Sequence, residues 1–321
     1  YDVADRIDLE STKSYLKGAE IFSFNEYGKA VPEGVSPFEL PLVLDFQKKT
    51  IKIDDLKINA NIQFIIYSVG VIAIRIRIPM ENFDRSKVER LTFDKKIEET
   101  FKRLSEETKA DIQKRLSIFE MYRVYFIQGD ASEFILENKK WIAGILLDEQ
   151  NYENLSNDYV DNTIKRKLSY YNDDLIITDW DAAFIISRID KYENEMTVID
   201  TSNVQLLEYR VYQDEIDRMI DNINIRILNL QGKPWNILFS RRNMIKLSTE
   251  ISDFYTEYKD MIDSVNNIIM SFGDWYLARL YSMLSDSFKL KDLELHLENT
   301  FDMLIKIRDF IDERIAEDTN S

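Results

Sequence analysis

Residues 174–230 constrain the fold more than any other stretch, because a buried-strand pattern leads into a long helical pattern there. Two apolar runs, at 175–177 and 182–186, flank the polar tripeptide at 179–181, which predicts two buried strands joined by a tight turn. Apolar residues then recur every three or four positions from 199 to 227. That spacing predicts a helix that packs one face inward over about 30 residues.

Strand and helix patterns alternate irregularly before this stretch. A hairpin is predicted where two β-branched runs are separated by Ser68, Val69 and Gly70, because glycine readily adopts positive φ in a tight turn. Further strands are predicted at 19–24, 40–46, 49–53 and 119–128. One helix is predicted at 84–118 with a break near Thr92, a second begins after a cap at Asp130 or Ser132, and a third lies at 156–170. This order predicts an α+β fold with a mixed or antiparallel sheet.

The last third of the chain has helical periodicity throughout. Apolar residues form a seam from 251 to 272, Asp274 can cap a short helix, and a last apolar stripe runs from 290 to 315. The matched stripes predict that the helices at 241–272 and 290–315 pack antiparallel in a hairpin or bundle. With 321 residues, the chain is expected to form two domains, an α+β domain at 1–190 and a long-helix domain at 191–321.

Composition removes several kinds of chemistry. There is no cysteine and a single histidine, His296, which excludes disulfides, thiolate zinc sites, cysteine nucleophiles and most histidine-based catalysis. The net charge of −16 disfavours binding of nucleic acid, because the phosphate backbone is repelled. No cofactor is predicted from any motif.

A group of carboxylates is the first candidate site. Asp179, Asp181, Asp200 and Glu208 could together supply oxygen ligands to Mg²⁺ or Mn²⁺ and so act in hydrolysis. The alternative for the two residues that flank Trp180 is an Asx turn, in which aspartate accepts hydrogen bonds from nearby backbone amides.

Polar residues within the long helix form the second candidate site. Asn203, Gln205, Glu208 and Arg210 could line a ligand pocket, or they could satisfy one another as a buried structural network.

Basic residues form two candidate anion sites. Arg75 and Arg77 alternate along one predicted strand and share a face, while Arg241, Arg242 and Lys246 lie together at the start of a predicted helix. The alternatives are pairing with the many acidic residues and a solvated helix start. Trp275, Tyr276 and Tyr281 are predicted to form an aromatic core cluster at the end of the bundle.

Three segments resemble a bacterial branch of the required-for-meiotic-nuclear-division family: DDLIITDWDAAFIIS, NVQLLEYRVYQDEID and GDWYLARLYSMLSDSFKL. The resemblance implies an α+β domain followed by a helical hairpin and, in many members, a transmembrane helix, which here would follow Ser321. It supplies no catalytic residues. Its eukaryotic members are membrane-associated mitochondrial proteins linked to organelle translation.

We therefore expect a non-enzymatic scaffold or interaction module that binds a partner protein or itself. It would lie in the cytoplasm, at the cytoplasmic face of a membrane if an anchor follows Ser321. Two alternatives are a metal-dependent hydrolase or nuclease that uses the carboxylates, and an RNA-associated or translation-associated factor.

Overall fold

The computed structural model describes residues 1–2, 7–9, 11–12, 20–21, 41–109, 118–189, 192–228, 241–270 and 274–320. Some sequence predictions lie outside these residues: most of the strand at 19–24 and the end of the helix at 84–118.

Four antiparallel strands form the first sheet, in chain order: β1 (Glu20–Ile21), β2 (Leu42–Ile53), β3 (Leu56–Ile66) and β4 (Ile72–Arg77). The predicted hairpin at 68–70 is confirmed, and Gly70 has a φ of 95°. The strands predicted at 40–46 and 49–53 are in fact one strand, β2, whose register against β3 shifts between Asp45 and Lys48. The sequence prediction also missed the turn after β2, where Asp54 has a φ of 51°, a conformation that aspartate tolerates better than most residues.

Two helices follow the first sheet, α1 (Arg85–Phe93) and α2 (Lys95–Lys109). The break predicted near Thr92 is confirmed, and it falls at Asp94, whose backbone is extended. Ile97 of α2 is fully buried in a cluster with residues of β2 and β3. The apolar side of α2 therefore covers this sheet.

The second sheet is mixed. It contains β5 (Arg123–Gln128), β6 (Lys167–Leu168), β7 (Leu175–Thr178) and β8 (Ala182–Ser187), in the order β5-β8-β7-β6. β5 runs parallel to β8, and the other neighbours are antiparallel. The strands predicted on either side of residues 179–181 are therefore confirmed.

Helices α3 (Ala131–Leu146) and α4 (Asn157–Ile164) lie between β5 and β6. The predicted cap is confirmed as Asp130, whose carboxylate accepts from the backbone amides of Ser132 and Glu133. The helix predicted at 156–170 is wrong in its second half, because residues 167 and 168 pair with β7 instead. This pairing supplies hydrogen-bond partners for the backbone groups at that edge of β7.

The remaining helices are α5 (Glu193–Leu228), α6 (Arg241–Met270), α7 (Trp275–Phe288) and α8 (Leu290–Asn320). α6 and α8 are antiparallel: Ser248 of α6 donates to Asp312 of α8, and further along Tyr258 stacks on Phe301 with 4.4 Å between ring centroids. An α+β arrangement of sheets followed by an antiparallel helical bundle is therefore confirmed. Within the described residues, no helix is both long and apolar enough to cross a membrane.

Helix α5 is the central element of the core. One hydrophobic cluster joins it to Ile65 of the first sheet, to Ile185 of the second sheet and to the other long helices. The sequence predicted a single buried face, but residues 204–209 of α5 are all buried. This prediction was wrong because the sheets cover one side of α5 while other helices of the bundle cover another. The division into domains near residue 190 stays a prediction.

Candidate functional site

Exposed aromatic side chains gather where the turn between β6 and β7 meets the start of α7. Tyr170 is 54% exposed, Tyr171 is 61% exposed and Trp275 is 66% exposed, whereas Tyr276, which Tyr170 contacts, is buried. The ring of Tyr170 lies 4.7 Å from that of Tyr171 and 5.3 Å from that of Tyr276 between centroids, both edge to face. We call Tyr170, Tyr171, Trp275 and Tyr276 the aromatic patch.

Backbone hydrogen bonds hold the turn that carries the two tyrosines. The carboxylate of Asp174 accepts from the backbone amides of Tyr170 and Tyr171, at 2.7 and 3.1 Å. The same turn is tied to the start of α3, where the Ser132 hydroxyl donates to the carbonyl of Asn172 at 3.2 Å. These contacts fix the two aromatic side chains at a defined place on the surface.

The helical side of the patch is held by a cap. Asp274 accepts from the backbone amide of Tyr276 at 2.7 Å and so begins α7, as the sequence predicted. The core position predicted for Trp275, Tyr276 and Tyr281 is confirmed for the buried Tyr276 and for the partly buried Tyr281, which packs against the core, but not for Trp275. Trp275, the first residue of the helix, points outward, and the guanidinium of Arg279 lies 5.2 Å from its ring centroid.

Charged side chains border the patch. Asp174 lies within electrostatic range of Glu195 at the start of α5, where burial raises the pKa of the Glu195 carboxyl and the charges of Asp174 and Glu193 raise it further. Arg188 pairs with Asp173 and Asp130. Exposed Lys167 precedes Tyr170 by three residues, and Arg279 lies over the ring of Trp275. Charges of both signs therefore border the aromatic rings.

The carboxylates proposed as metal ligands do not form one cluster, although Asp179 and Asp181 lie in the same turn. Asp179 accepts from the backbone amide of the next residue, Trp180, at 2.8 Å and lies 3.8 Å from Arg166. Asp200 forms an ion pair with Arg75 on the first sheet.

The two remaining carboxylates do not complete a metal site. Asp181 lies near Arg123, and burial raises the pKa of its carboxyl while Arg123 opposes that rise. Glu208 is buried within α5. In the described part of the chain, no group of three or more histidine or acidic side chains is placed to hold a metal ion.

The polar residues of α5 contact different neighbours. Asn203 donates to the carbonyl of Ile199 one turn earlier in the helix. Gln205 accepts from the Tyr281 hydroxyl at 2.8 Å and donates to the Tyr209 hydroxyl at 3.0 Å, whereas Arg210 pairs with Glu120 and covers the ring of Trp180. Gln205 and Arg210 thus join α5 to neighbouring elements, whereas Asn203 bonds within the helix.

The arginines of β4 pair with acidic residues of α5. Arg75 contacts Asp200 and Glu193, and Arg77 contacts Glu193 at 2.7 Å. Burial lowers the pKa of the Arg75 guanidinium, but the two carboxylates more than compensate and the pKa is raised. A cavity of about 30 Å³ adjoins Arg75, which is room for about one water molecule, so an organic anion does not fit.

Two of the three basic residues at the start of α6 are described, and both are solvated. Arg242 and Lys246 are exposed, and Lys246 pairs with Glu250 one turn later at 3.5 Å. The side chain of Arg241 lies outside the described residues. A groove of about 260 Å³ between α5 and α6 has an apolar floor of Met219, Ile223 and Leu247, but it is smaller than a typical ligand pocket.

Comparison with known proteins identifies one family. The family described as the N-terminal domain of uncharacterized protein MJ0711 matches residues 1–192. Uncharacterized protein MJ0711 of Methanocaldococcus jannaschii is 25% identical over 203 residues, which cover 62% of this chain and 59% of that protein. The chain therefore spans less than two thirds of the length of that relative. No solved structure matches the chain. Because the family match covers more than half of the sequence, the chain belongs to the MJ0711 N-terminal domain family.

Proposed function

We propose that this protein is a non-enzymatic interaction module that binds a partner protein through the aromatic patch. The observation that carries the proposal is the exposure of Tyr170, Tyr171 and Trp275, each more than half exposed, on backbone held by Asp174 and Asp274. Tyrosine and tryptophan are among the residues that most often dominate binding energy at protein interfaces. A fixed backbone lowers the entropy lost on binding.

The size of the patch indicates how much of an interface it can supply. Trp and Tyr side chains bury roughly 150–250 Å² each. Covering the exposed parts of three rings therefore removes on the order of 300 Å² of surface from contact with water. At about 25 cal/mol per Å² this contributes about 7 kcal/mol, which is comparable with the cost of association itself. The patch therefore serves as the centre of an interface, and contacts around it must supply the remainder.

The hydrolase alternative lacks an arrangement to support it. Catalysis by metal-bound water needs carboxylates that converge on one ion, whereas Asp200 pairs with Arg75 on the first sheet and Asp179 lies beside Arg166. The RNA alternative is opposed by the net charge of −16, which repels phosphates.

The test compares three immobilised proteins in extracts of the source organism. These are the wild type, a patch variant (Tyr171→Ala, Trp275→Ala) and a control variant (Leu136→Ala, Tyr159→Ala) that removes two side chains from α3 and α4, each also more than half exposed. A protein retained by the wild type and the control, but absent from the patch variant, is then purified. Direct binding should weaken at least about ten-fold for the patch variant; equal affinity for all three proteins would refute the role of the patch.

The narrower expectations from the sequence also remain proposals. Sheets followed by an antiparallel bundle support the relation to the required-for-meiotic-nuclear-division family, and with it attachment to the cytoplasmic face of a membrane through a segment after Ser321. The complete gene tests this: an apolar run of about 20 residues beyond Ser321 supports attachment, and a polar continuation contradicts it.

A further inference from the structure

We infer that the small cavity beside Arg75 binds one ordered water molecule, which bridges the first sheet and helix α5. The water accepts hydrogen bonds from the Tyr67 hydroxyl and from Nε of Arg75, and it donates to the carboxylate of Asp200. This site does not involve the aromatic patch, so it stands independently of the proposed function.

The cavity lies between the two elements that the water joins. It has a volume of about 30 Å³ and is lined by Gln63 and Arg75 of the first sheet and by Glu193, Thr197 and Asp200 of α5. A cavity holds a water molecule from about 10–15 Å³ upward, provided that two to four polar groups surround it. Both conditions are met here, whereas a larger organic ligand is excluded by size.

Two buried donors at this cavity have no hydrogen-bond partner among the described residues. Tyr67, which also lines the cavity, is fully buried, and its hydroxyl is unpaired. Nε of Arg75 is likewise buried and unpaired, although the terminal nitrogens of the same guanidinium contact side chains of the sheet and of α5. A buried donor without a partner is costly, and one water molecule can accept a hydrogen bond from each of these two donors.

The charges around the cavity favour a neutral molecule over an ion. The guanidinium of Arg75 contacts two carboxylates, those of Glu193 and Asp200. Their summed charge is negative, which disfavours chloride, while the guanidinium repels a cation. Burial raises the pKa of the Tyr67 hydroxyl and the charge of Asp200 raises it further, so this hydroxyl keeps its proton and acts as a donor. An ionised carboxylate accepts several hydrogen bonds, so Asp200 can accept one from water besides its contact with Arg75.

Thr201 of α5 is the alternative partner for Tyr67. Its hydroxyl lies close enough to that of Tyr67 to interact, but neither hydroxyl forms a hydrogen bond of ordinary geometry. Thr201 also lies outside the lining of the cavity. A small shift would let the two hydroxyls bond to each other without water, so the test must separate a bridge through water from a direct bond.

The stability test compares the wild type, Tyr67→Phe, Thr201→Val and the double variant by urea titration. Tyr67→Phe removes only the hydroxyl. We expect the equilibrium constant for unfolding to rise about five-fold, because a hydrogen bond to the water is lost, whereas removal of an unsatisfied buried hydroxyl would be neutral or stabilising. The rise should be equal in the wild type and in the Thr201→Val background. Coupling between the two substitutions would indicate a direct bond between the hydroxyls and overturn the inference.

The direct test is a crystal structure of the wild-type protein grown in sodium bromide, at a resolution that shows ordered water. We expect density for one water molecule within hydrogen-bond distance of the Tyr67 hydroxyl and of Nε of Arg75, with no anomalous signal from bromide in the cavity. A cavity without density would overturn the inference, and a bromide peak there would show an anion site instead. An unchanged or lower unfolding constant for Tyr67→Phe would also contradict it.

Discussion

Replacing Arg75 with methionine should destabilise the fold, because Arg75 joins β4 of the first sheet to α5. Its side chain is 10% exposed and contacts Asp200, which is 17% exposed, and Glu193, which is 45% exposed. Removing one partner of a buried ion pair costs about 3–5 kcal/mol. Without Arg75, the half-exposed Glu193 is readily hydrated and Asp200 keeps some contact with water. We therefore expect the free energy of unfolding to fall by an amount at the low end of this range, about 3 kcal/mol.

A double-mutant cycle isolates the contact itself. Asp200→Asn should cost less than Arg75→Met, because Arg75 keeps its contact with Glu193. The double variant should be more stable than the sum of the two single effects predicts, with a coupling energy of about 2 kcal/mol. Urea titration at constant temperature, followed by circular dichroism, gives each value from the transition midpoint and slope.

The control is Arg90→Met. Arg90 also bridges two elements, through both carboxylate oxygens of Asp55, but Asp55 is 81% exposed. Its loss should leave the midpoint close to that of the wild type, since exposed pairs contribute little. Equal midpoints for Arg75→Met and Arg90→Met, or additive effects of Arg75→Met and Asp200→Asn, would refute the view that this ion pair holds the sheet on α5.

Three more changes test the core and the candidate sites. Gly144→Ala should lower the free energy of unfolding by about 1–3 kcal/mol, measured by urea titration, because the new methyl would collide with the side chain of Tyr152; combining it with Tyr152→Ala should recover little of the loss, because the closest contact is with the Cβ atom, which alanine keeps. Burial and, to a lesser degree, Glu298 raise the pKa of the Glu294 carboxyl, so the folded state binds this proton more tightly than the unfolded chain and stability falls as pH rises through the folded pKa. Glu294→Gln should therefore have a higher melting temperature than the wild type at pH 7. This difference in melting temperature should vanish below the ordinary pKa of glutamate, and a difference that grows as pH falls would contradict the reasoning. Millimolar Mg²⁺ or Mn²⁺ should leave the melting temperature unchanged, because the proposed ligands do not converge, and a specific rise would revive the hydrolase alternative.

Local patterns in the sequence determined the elements that depend on neighbouring residues. The hairpin around Gly70, the turn at 179–181 and the caps at Asp130 and Asp274 were all predicted correctly. Each depends on turn or cap chemistry within a few positions and on a regular alternation of apolar residues. The α+β class followed from the order of these elements.

Predictions failed where a distant part of the chain changes a local preference. Residues 167 and 168 leave the helical pattern because β7 offers an unpaired edge, and α5 is buried on more than one side because both sheets and the bundle pack around it. Apolar periodicity shows which side of an element is buried but not how many neighbours cover it.

The candidate site was decided by tertiary structure. The aromatic patch joins Tyr170 to Tyr276 across more than a hundred residues, and Arg75 meets Asp200 across a similar separation. Sequence spacing describes contacts along one helix or strand, since those follow from the backbone repeat. Which faces of two distant elements meet depends on how the sheets and the bundle pack together, and that packing placed the tyrosines of a turn beside the first turn of α7.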